Sequence, residues 1–230
     1  GEVQSVDRES ITGHPLSQHA DILETFQTRS VGDLAVCNEE CTARTGGIVT
    51  GIDMKRSKRD QRPWAVFELE GFDGSIECLA FADTYGQYGE LIAPEAPVFI
   101  EGTLSNRDGN EQFNMIVDRV RPMETAPEEL TKEVHVHLYQ ASTDDDHLSR
   151  LQEVCRNYPG KADIVLALIC TSGEIAFLRP ENLKVNNSRE FRHAVMDLFG
   201  EECLRQKPDT DLPEPRNRRR YPQQKAAAAA

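Results

Sequence analysis

Six cations crowd one short stretch of this chain: Arg44, Lys55, Arg56, Lys58, Arg59 and Arg62. Five of them lie between Lys55 and Arg62, and the sole tryptophan, Trp64, follows two residues later. Lysine and arginine on a loop make sequence-independent contacts to phosphate oxygens, and an exposed indole offers a face to a nucleobase. Arg107, in a later Gly-containing turn, is a weaker candidate of the same kind, and Phe113 beyond it is assigned to a core. The surrounding charge sharpens the pattern. Residues 44–62 hold six basic side chains against two acidic ones, residues 63–122 hold three against eleven, and the whole chain carries a net charge of −13. An acidic body argues against coating nucleic acid by general electrostatics, whereas a local basic strip suits guided phosphate binding.

Other groupings are chemically weaker. Asp144-Asp145-Asp146-His147 has the residue types of a metal site, but consecutive acids at a helix start diverge and complement the helix dipole. Cys37 and Cys41, with His135 and His137 far downstream, lack the tight repeated spacing of structural zinc ligands. No Gly-rich phosphate loop or nucleophile elbow is visible. No catalytic residue and no metal ligand is assigned. The six cysteines are scattered and read as reduced thiols.

The elements that must position the cations are short strands. Gly46 to Met54 is a β-branched run leading into the basic segment. Pro63 to Glu70 alternates, with Ala65, Phe67 and Leu69 on one face and Trp64, Val66 and Glu68 on the other. With the first set facing a core, Trp64 faces out beside the basic loop; the alternative is a lid tryptophan packed on that loop. Gly71 to Gly74 turns the chain, Ser75 to Phe81 is a third strand, and Thr84 to Ile92 a helical insert. Pro97 to Leu104 is a fourth strand, Asn106 to Asn110 a turn, and Glu111 to Val120 a fifth. Five such strands with a helix between the third and fourth suggest an OB-fold barrel, which binds single strands between its first-second and fourth-fifth loops.

Upstream, Ile11-Thr12-Gly13-His14-Pro15-Leu16 precedes an amphipathic helix from Ser17 to Gln27, with Leu16, Ala20 and Leu23 at helical spacing. His14 is read as fixing the start of that helix. Residues 28–43 read as an acidic connector. This order of elements, with Gly74-Ser75-Ile76-Glu77 after Leu69-Glu70-Gly71, resembles the C-terminal region of the bacterial C-family replicative polymerase, the alpha subunit of DNA polymerase III. The family usually has serine where this chain has Thr12, and Asp where it has Gly71. The resemblance implies a non-catalytic piece of a longer polymerase. It implies that single-stranded template DNA meets the barrel, that a clamp-loader subunit and other replisome proteins dock on the following module, and that the setting is the bacterial cytoplasm, at the nucleoid. No cofactor is expected here, although the parent polymerase would use Mg2+. Met196-Asp197-Leu198-Phe199 is faintly similar to a clamp-binding peptide but lies on a helix's apolar stripe. Two other readings stay open: a barrel serving only as a protein platform, and a tRNA-binding barrel of the synthetase type.

A second unit follows a polar linker over residues 123–133. Val134 to Leu138 alternates as a strand, Asp144 to Tyr158 reads as a helix, and Asp163 to Thr171 as a buried strand that turns at Ser172-Gly173 and returns over Glu174 to Leu178. Ser188 caps a last helix that stops at Gly200. The fold class is thus mainly β plus α+β: residues 1–43 ending a preceding domain and connecting, 44–122 the barrel, 134–207 a small α+β domain and 208–230 a disordered tail. No apolar run is long enough to span a membrane.

Overall fold

The computed structural model describes residues 15–37, 39–105 and 113–212. Its first sheet is a closed barrel of β1 (Cys41–Arg56), β2 (Pro63–Glu70), β3 (Ser75–Ala80), β4 (Pro97–Ser105) and β5 (Asn114–Pro122), in the order β1-β2-β3-β5-β4. The parallel pair between β3 and β5 closes it, with Cys78 opposite Met115 and Leu79 opposite Ile116. The expected alternation in β2 is present: Ala65, Phe67 and Leu69 are buried with Ile76, Cys78, Ile100 and Val117 in one core.

β1 starts five residues earlier than its β-branched run suggests. Its first half pairs with β4, from Cys41 opposite Leu104 to Ile48 opposite Pro97, and its second half pairs with β2. The mixed polar run from Cys41 to Thr45 gives no strand signal of its own; its ladder partner on β4 supplies it. Two irregularities bend the barrel. One lies between Thr50 and Asp53, where Gly51 takes φ +55°, a conformation that costs glycine little. The other lies at Gly102, where a Cβ would sit 2.2 Å from the Ile116 carbonyl oxygen, so only glycine lets β4 and β5 approach.

Helices pack around the barrel. A 3-10 turn at Ser17–His19 leads into α1 (Ala20–Phe26), and α2 (Val31–Ala35) is held by a capping box between Ser30 and Asp33. α2 lies within the stretch read as an acidic connector and buries Val31 and Leu34 in the barrel core. α3 (Ala82–Tyr88), followed by a 3-10 turn at Gly89–Leu91, is the helical insert, and Thr84 Oγ1 donates to the Val117 carbonyl at 3.1 Å. The polar linker is structured: a 3-10 turn at Met123–Thr125 and α4 (Ala126–Leu130) bury Met123, Ala126 and Leu130 against Leu23, Phe26, Ile48 and Phe99.

The second sheet has the order β10-β6-β7-β8, from β6 (Thr131–Tyr139), β7 (Pro159–Ile169), β8 (Ile175–Leu178) and β10 (Leu204–Pro208), with β9 (Lys184–Val185) also on β7. β6 and β7 are parallel, joined through α5 (Asp145–Asn157). α6 (Arg189–Phe199) is capped by the Ser188 hydroxyl, which accepts from the Phe191 N–H, and ends at Gly200 with φ +91°. One face of the sheet, with Val134, Val136 and Ile164, packs on Leu151, Cys155, Phe191 and Val195 of the two helices. β10 has no counterpart in the sequence reading, because its alternation is polar and it exists only as a partner of β6. The described part of the tail continues from it to residue 212, and the remainder lies outside the described residues.

Candidate nucleic-acid interface

The end of the β1–β2 hairpin gathers most of the cations singled out by sequence. Beyond the Thr50/Asp53 bulge the hairpin continues past the barrel rim, with Met54 opposite Ala65, Lys55 opposite Trp64 and Arg56 opposite Pro63. The loop from Ser57 to Arg62 closes on itself. The Ser57 N–H donates to the Arg62 carbonyl and the Gln61 N–H to the Ser57 carbonyl, both at 2.9 Å, and Gln61 takes φ +56°.

The cations differ in how committed they are. Arg62 is held by two carboxylates, with Nε 2.7 Å from Asp60 and Nη1 2.6 Å from Asp83 on α3. The hydrogen bond to Asp83, and then that to Asp60, raise the Arg62 pKa; hydrogen bonds from Arg62 and Ser57 hold Asp60 down at about 2. Arg56 donates to the Gln61 carbonyl at 3.1 Å, which anchors the loop without using a carboxylate. Lys55 lies 3.4 Å from Asp53, with both side chains well exposed. Lys58 and Arg59 are exposed at the tip and have no ion-pair partner among the described residues. Two unneutralised cations therefore lead the site, and Arg62 fixes the base of the loop to α3.

Trp64 is half-buried, so it is both a platform and a packing residue. Its ring centroid is 5.7 Å from that of Phe81 at 35°, and Lys55 Nζ lies 5.5 Å from the indole centroid. Phe81, 38% exposed, is not singled out by the sequence reading. The signal is nonetheless present, because the β2–β3 register from Glu70 opposite Ser75 to Ala65 opposite Ala80 brings Trp64 level with Phe81. The outer face of β2 and β3 changes character away from the hairpin tip. Val66 and Leu79 are paired there, and then Glu68 faces Glu77, both exposed. Anionic ligand is favoured at the tip and opposed further along.

Arg44 is corrected. Sequence groups it with the phosphate-binding cations, but it is 1% exposed and its Nε lies 2.7 Å from Glu101, its cross-strand neighbour on β4. Its Nη1 donates to the Asp209 carbonyl at 2.7 Å, and Arg119 Nη1 lies 3.5 Å from the other Glu101 oxygen. A guanidinium so enclosed cannot reach a ligand; it is a structural tie. Arg107 lies outside the described residues, as does His14. Phe113 is partly buried against the barrel core. Asp144 is the N-cap of α5 and accepts from the His147 N–H at 2.9 Å and from its Nδ1 at 2.6 Å, which accounts for the acidic run. Cys37 and Cys41 are free thiols, the first beside the barrel and the second opening β1, and His135 and His137 stand on β6 in the other sheet.

Residues 44–123 match the model of the OB-fold nucleic acid binding domain family. Over 199 residues, 84% of this chain, it is 26% identical to the DNA polymerase III subunit alpha of Mycobacterium tuberculosis. Over most of its length the chain is similar to bacterial DNA polymerase III alpha subunits. The corresponding protein of Pseudomonas fluorescens is 23% identical over 83% of the chain, and that of Aquifex aeolicus 32% over 56%. The chain spans only 16% of the length of the first two of these alpha subunits and 11% of the third. Among solved structures, RecG bound to a three-way DNA junction is similar at a TM-score of 0.32 and 19% identity, covering 53% of this chain and 19% of that one, too low a likeness to bear on function. Among the described residues no helix is long and apolar enough to cross a membrane.

Proposed function

We propose that this chain binds single-stranded DNA at the β1–β2 end of its barrel, as the template-guiding part of a DNA polymerase III alpha-type replicase. The observation that carries this reading is the pair of exposed cations, Lys58 and Arg59, on a braced loop beside the Trp64–Phe81 pair of an OB barrel. Phosphates would follow Lys55, Arg56, Lys58 and Arg59, and a base would lie on the indole. The module built on the second sheet would dock a clamp-loader subunit and other replisome proteins, in the bacterial cytoplasm at the nucleoid. Polymerisation, with its Mg2+, would belong to the parts of the alpha subunits that this chain does not span. Among the described residues no three His, Cys, Asp or Glu side chains gather as cation ligands, and no catalytic step is assigned to this chain.

Replacing Lys55, Arg56, Lys58 and Arg59 with alanine should weaken binding of a single-stranded oligonucleotide. It should also flatten the salt dependence of log K by about 0.7 for each phosphate that the variant no longer neutralises. A fluorescence-anisotropy titration at low and moderate salt measures both. An unchanged affinity and slope would remove the nucleic-acid role of this loop. The exposed Glu68 and Glu77 favour the second reading, in which the barrel is a protein platform, and that outcome would leave it standing. Comparing a structured RNA with the single strand separates a tRNA-binding barrel from both.

A further inference from the structure

Among the described residues no helix covers one face of the second sheet. α5 and α6 cover the side bearing Val134, Val136, Leu138 and Ile164. Alternation sends Glu133, His135, His137 and Tyr139 of β6 to the other side. Their neighbours there are set by the ladder: Arg205 of β10 opposite His135, Ala167 of β7 opposite His137, and Phe177 of β8 opposite Ala167. This face ends in open rings, with Phe177 62% and Tyr139 53% exposed. The His135 ring meets Phe177 edge-on at 6.4 Å, above small or buried residues, Val165 and Ala167.

Its charge is opposite in sign to that of the chain. Arg179, Lys184, Arg205 and Lys207 stand on or beside it, against the carboxylates of Glu133 and Asp163. Both carboxylates are already neutralised. Glu133 Oε2 lies 2.8 Å from His135 Nε2 and 3.5 Å from Lys207, Oε1 lies 3.2 Å from Arg179, and Asp163 lies 2.6 Å from Lys184. Arg205 is exposed and donates only to backbone carbonyls of Glu202 and Leu204 among the described residues. In a chain of net charge −13, excess cations among the described residues thus collect at the hairpin tip and on this sheet face.

We propose that the open face of the second sheet is a further single-stranded nucleic-acid surface, with Phe177 and Tyr139 stacking bases and Arg205 and Arg179 meeting phosphates. A flat antiparallel or mixed sheet with aromatic rings between cations presents π faces at strand spacing, which is how sheet-based modules hold unpaired bases. A protein partner would call for a lysine-poor interface with an apolar centre. Here an apolar strip of Val165, Ala167, Ile169 and Ile175 is flanked by His135, the Glu133 ion-pair cluster and two lysines, Lys184 and Lys207. This goes beyond the barrel reading, because it gives a function to the unit proposed above to dock proteins.

The test is a titration of the full chain with a fluorescein-labelled oligodeoxythymidylate of about 16 nucleotides, the upper range for a single OB barrel. It is run for wild type and for the chain with Lys55, Arg56, Lys58 and Arg59 changed to alanine. Phe177→Ser with Arg205→Gln should weaken binding about fivefold or more in at least the wild-type background. Phe177→Tyr should restore most of the affinity contributed by that ring, and ultraviolet cross-linking should mark the peptide from Ile175 to Arg179. Both positions are exposed, so the melting temperature should hold, and Phe177→Tyr guards against a folding artefact. Unchanged affinity in both backgrounds, or cross-links confined to the barrel, would overturn the proposal and return this face to a protein partner. If the sheet variants weaken binding while the loop variants do not, the barrel reading fails and this one stands.

Discussion

The indole of Trp64 lies beside Lys55 and the Phe81 ring and is half-buried, so removing it strips a stacking surface more than it opens a core. Trp64→Ala should weaken single-strand binding by about 1–3 kcal/mol, the range measured for one stacked base, with a smaller effect on the denaturation midpoint. As the only tryptophan, it also reports on its own environment: in the wild type its emission should fall as oligonucleotide is added. An emission indifferent to saturating oligonucleotide would place the ligand elsewhere. The residue scale is also where sequence and structure diverge most. Arg44 shares its charge with the loop cations, but it lies in a ladder opposite Glu101, and charge counting along the chain has no access to that neighbour 57 positions away. Phe81, by contrast, is legible, since the Gly71–Gly74 turn sets a register that carries it alongside Trp64.

Elements are legible where a side-chain pattern repeats within the element itself. β2 and β3 alternate, α6 carries an apolar stripe with a Ser188 cap and a Gly200 stop, and all are found close to where the pattern places them. The start of β1, α4 and β10 are not legible, because each is polar or short and owes its form to a partner, whereas α2 carries a local signal in its Ser30 and Asp33 cap that the acidic-connector reading passed over. β6 shows what such partnering does to a side chain. Glu133 is buried, and a hydrogen bond from His135 and then one from Arg179 hold its carboxyl down at about 2, against the ordinary 4.5. A carboxylate whose pKa is depressed on folding stabilises the folded state fully above its unfolded value and loses that contribution as pH falls through the folded one. Stability should therefore drop between about pH 4.5 and pH 2 by something on the order of 2 kcal/mol from this group. Urea midpoints across that window measure it, and Glu133→Gln should flatten the fall. An equally steep fall in the variant would assign the acid sensitivity to other carboxylates.

At the scale of the whole molecule, the barrel and the second sheet share one junction. Leu23 and Phe26 of α1 pack with Met123, Ala126 and Leu130 outside the barrel wall, and Arg44 reaches from β1 to the Asp209 carbonyl just past β10. Breaking a buried ion pair from one side leaves an uncompensated charge, which costs roughly 3–5 kcal/mol. Arg119 at 3.5 Å and Arg121 at 3.8 Å still face Glu101, so Arg44→Met should destabilise by less than that amount, and it should loosen the link between the units. In the wild type, urea transitions followed by Trp64 emission, which sees the barrel, and by far-ultraviolet circular dichroism, which sees both units, should superimpose; in the variant they should separate. Coincident curves at wild-type midpoint would show Arg44 to be dispensable. The sequence by itself determined the two-unit plan, the barrel strands, the basic hairpin tip and the resemblance to polymerase alpha subunits. Local periodicity, turn chemistry and charge are properties of neighbouring residues, so they can be read along the chain. Only the tertiary structure decided which cations stay free, which one is sealed against Glu101, and which face of the second sheet stays open. Those outcomes depend on burial and on ladder partners tens of residues apart, and burial is settled only when the chain closes on itself.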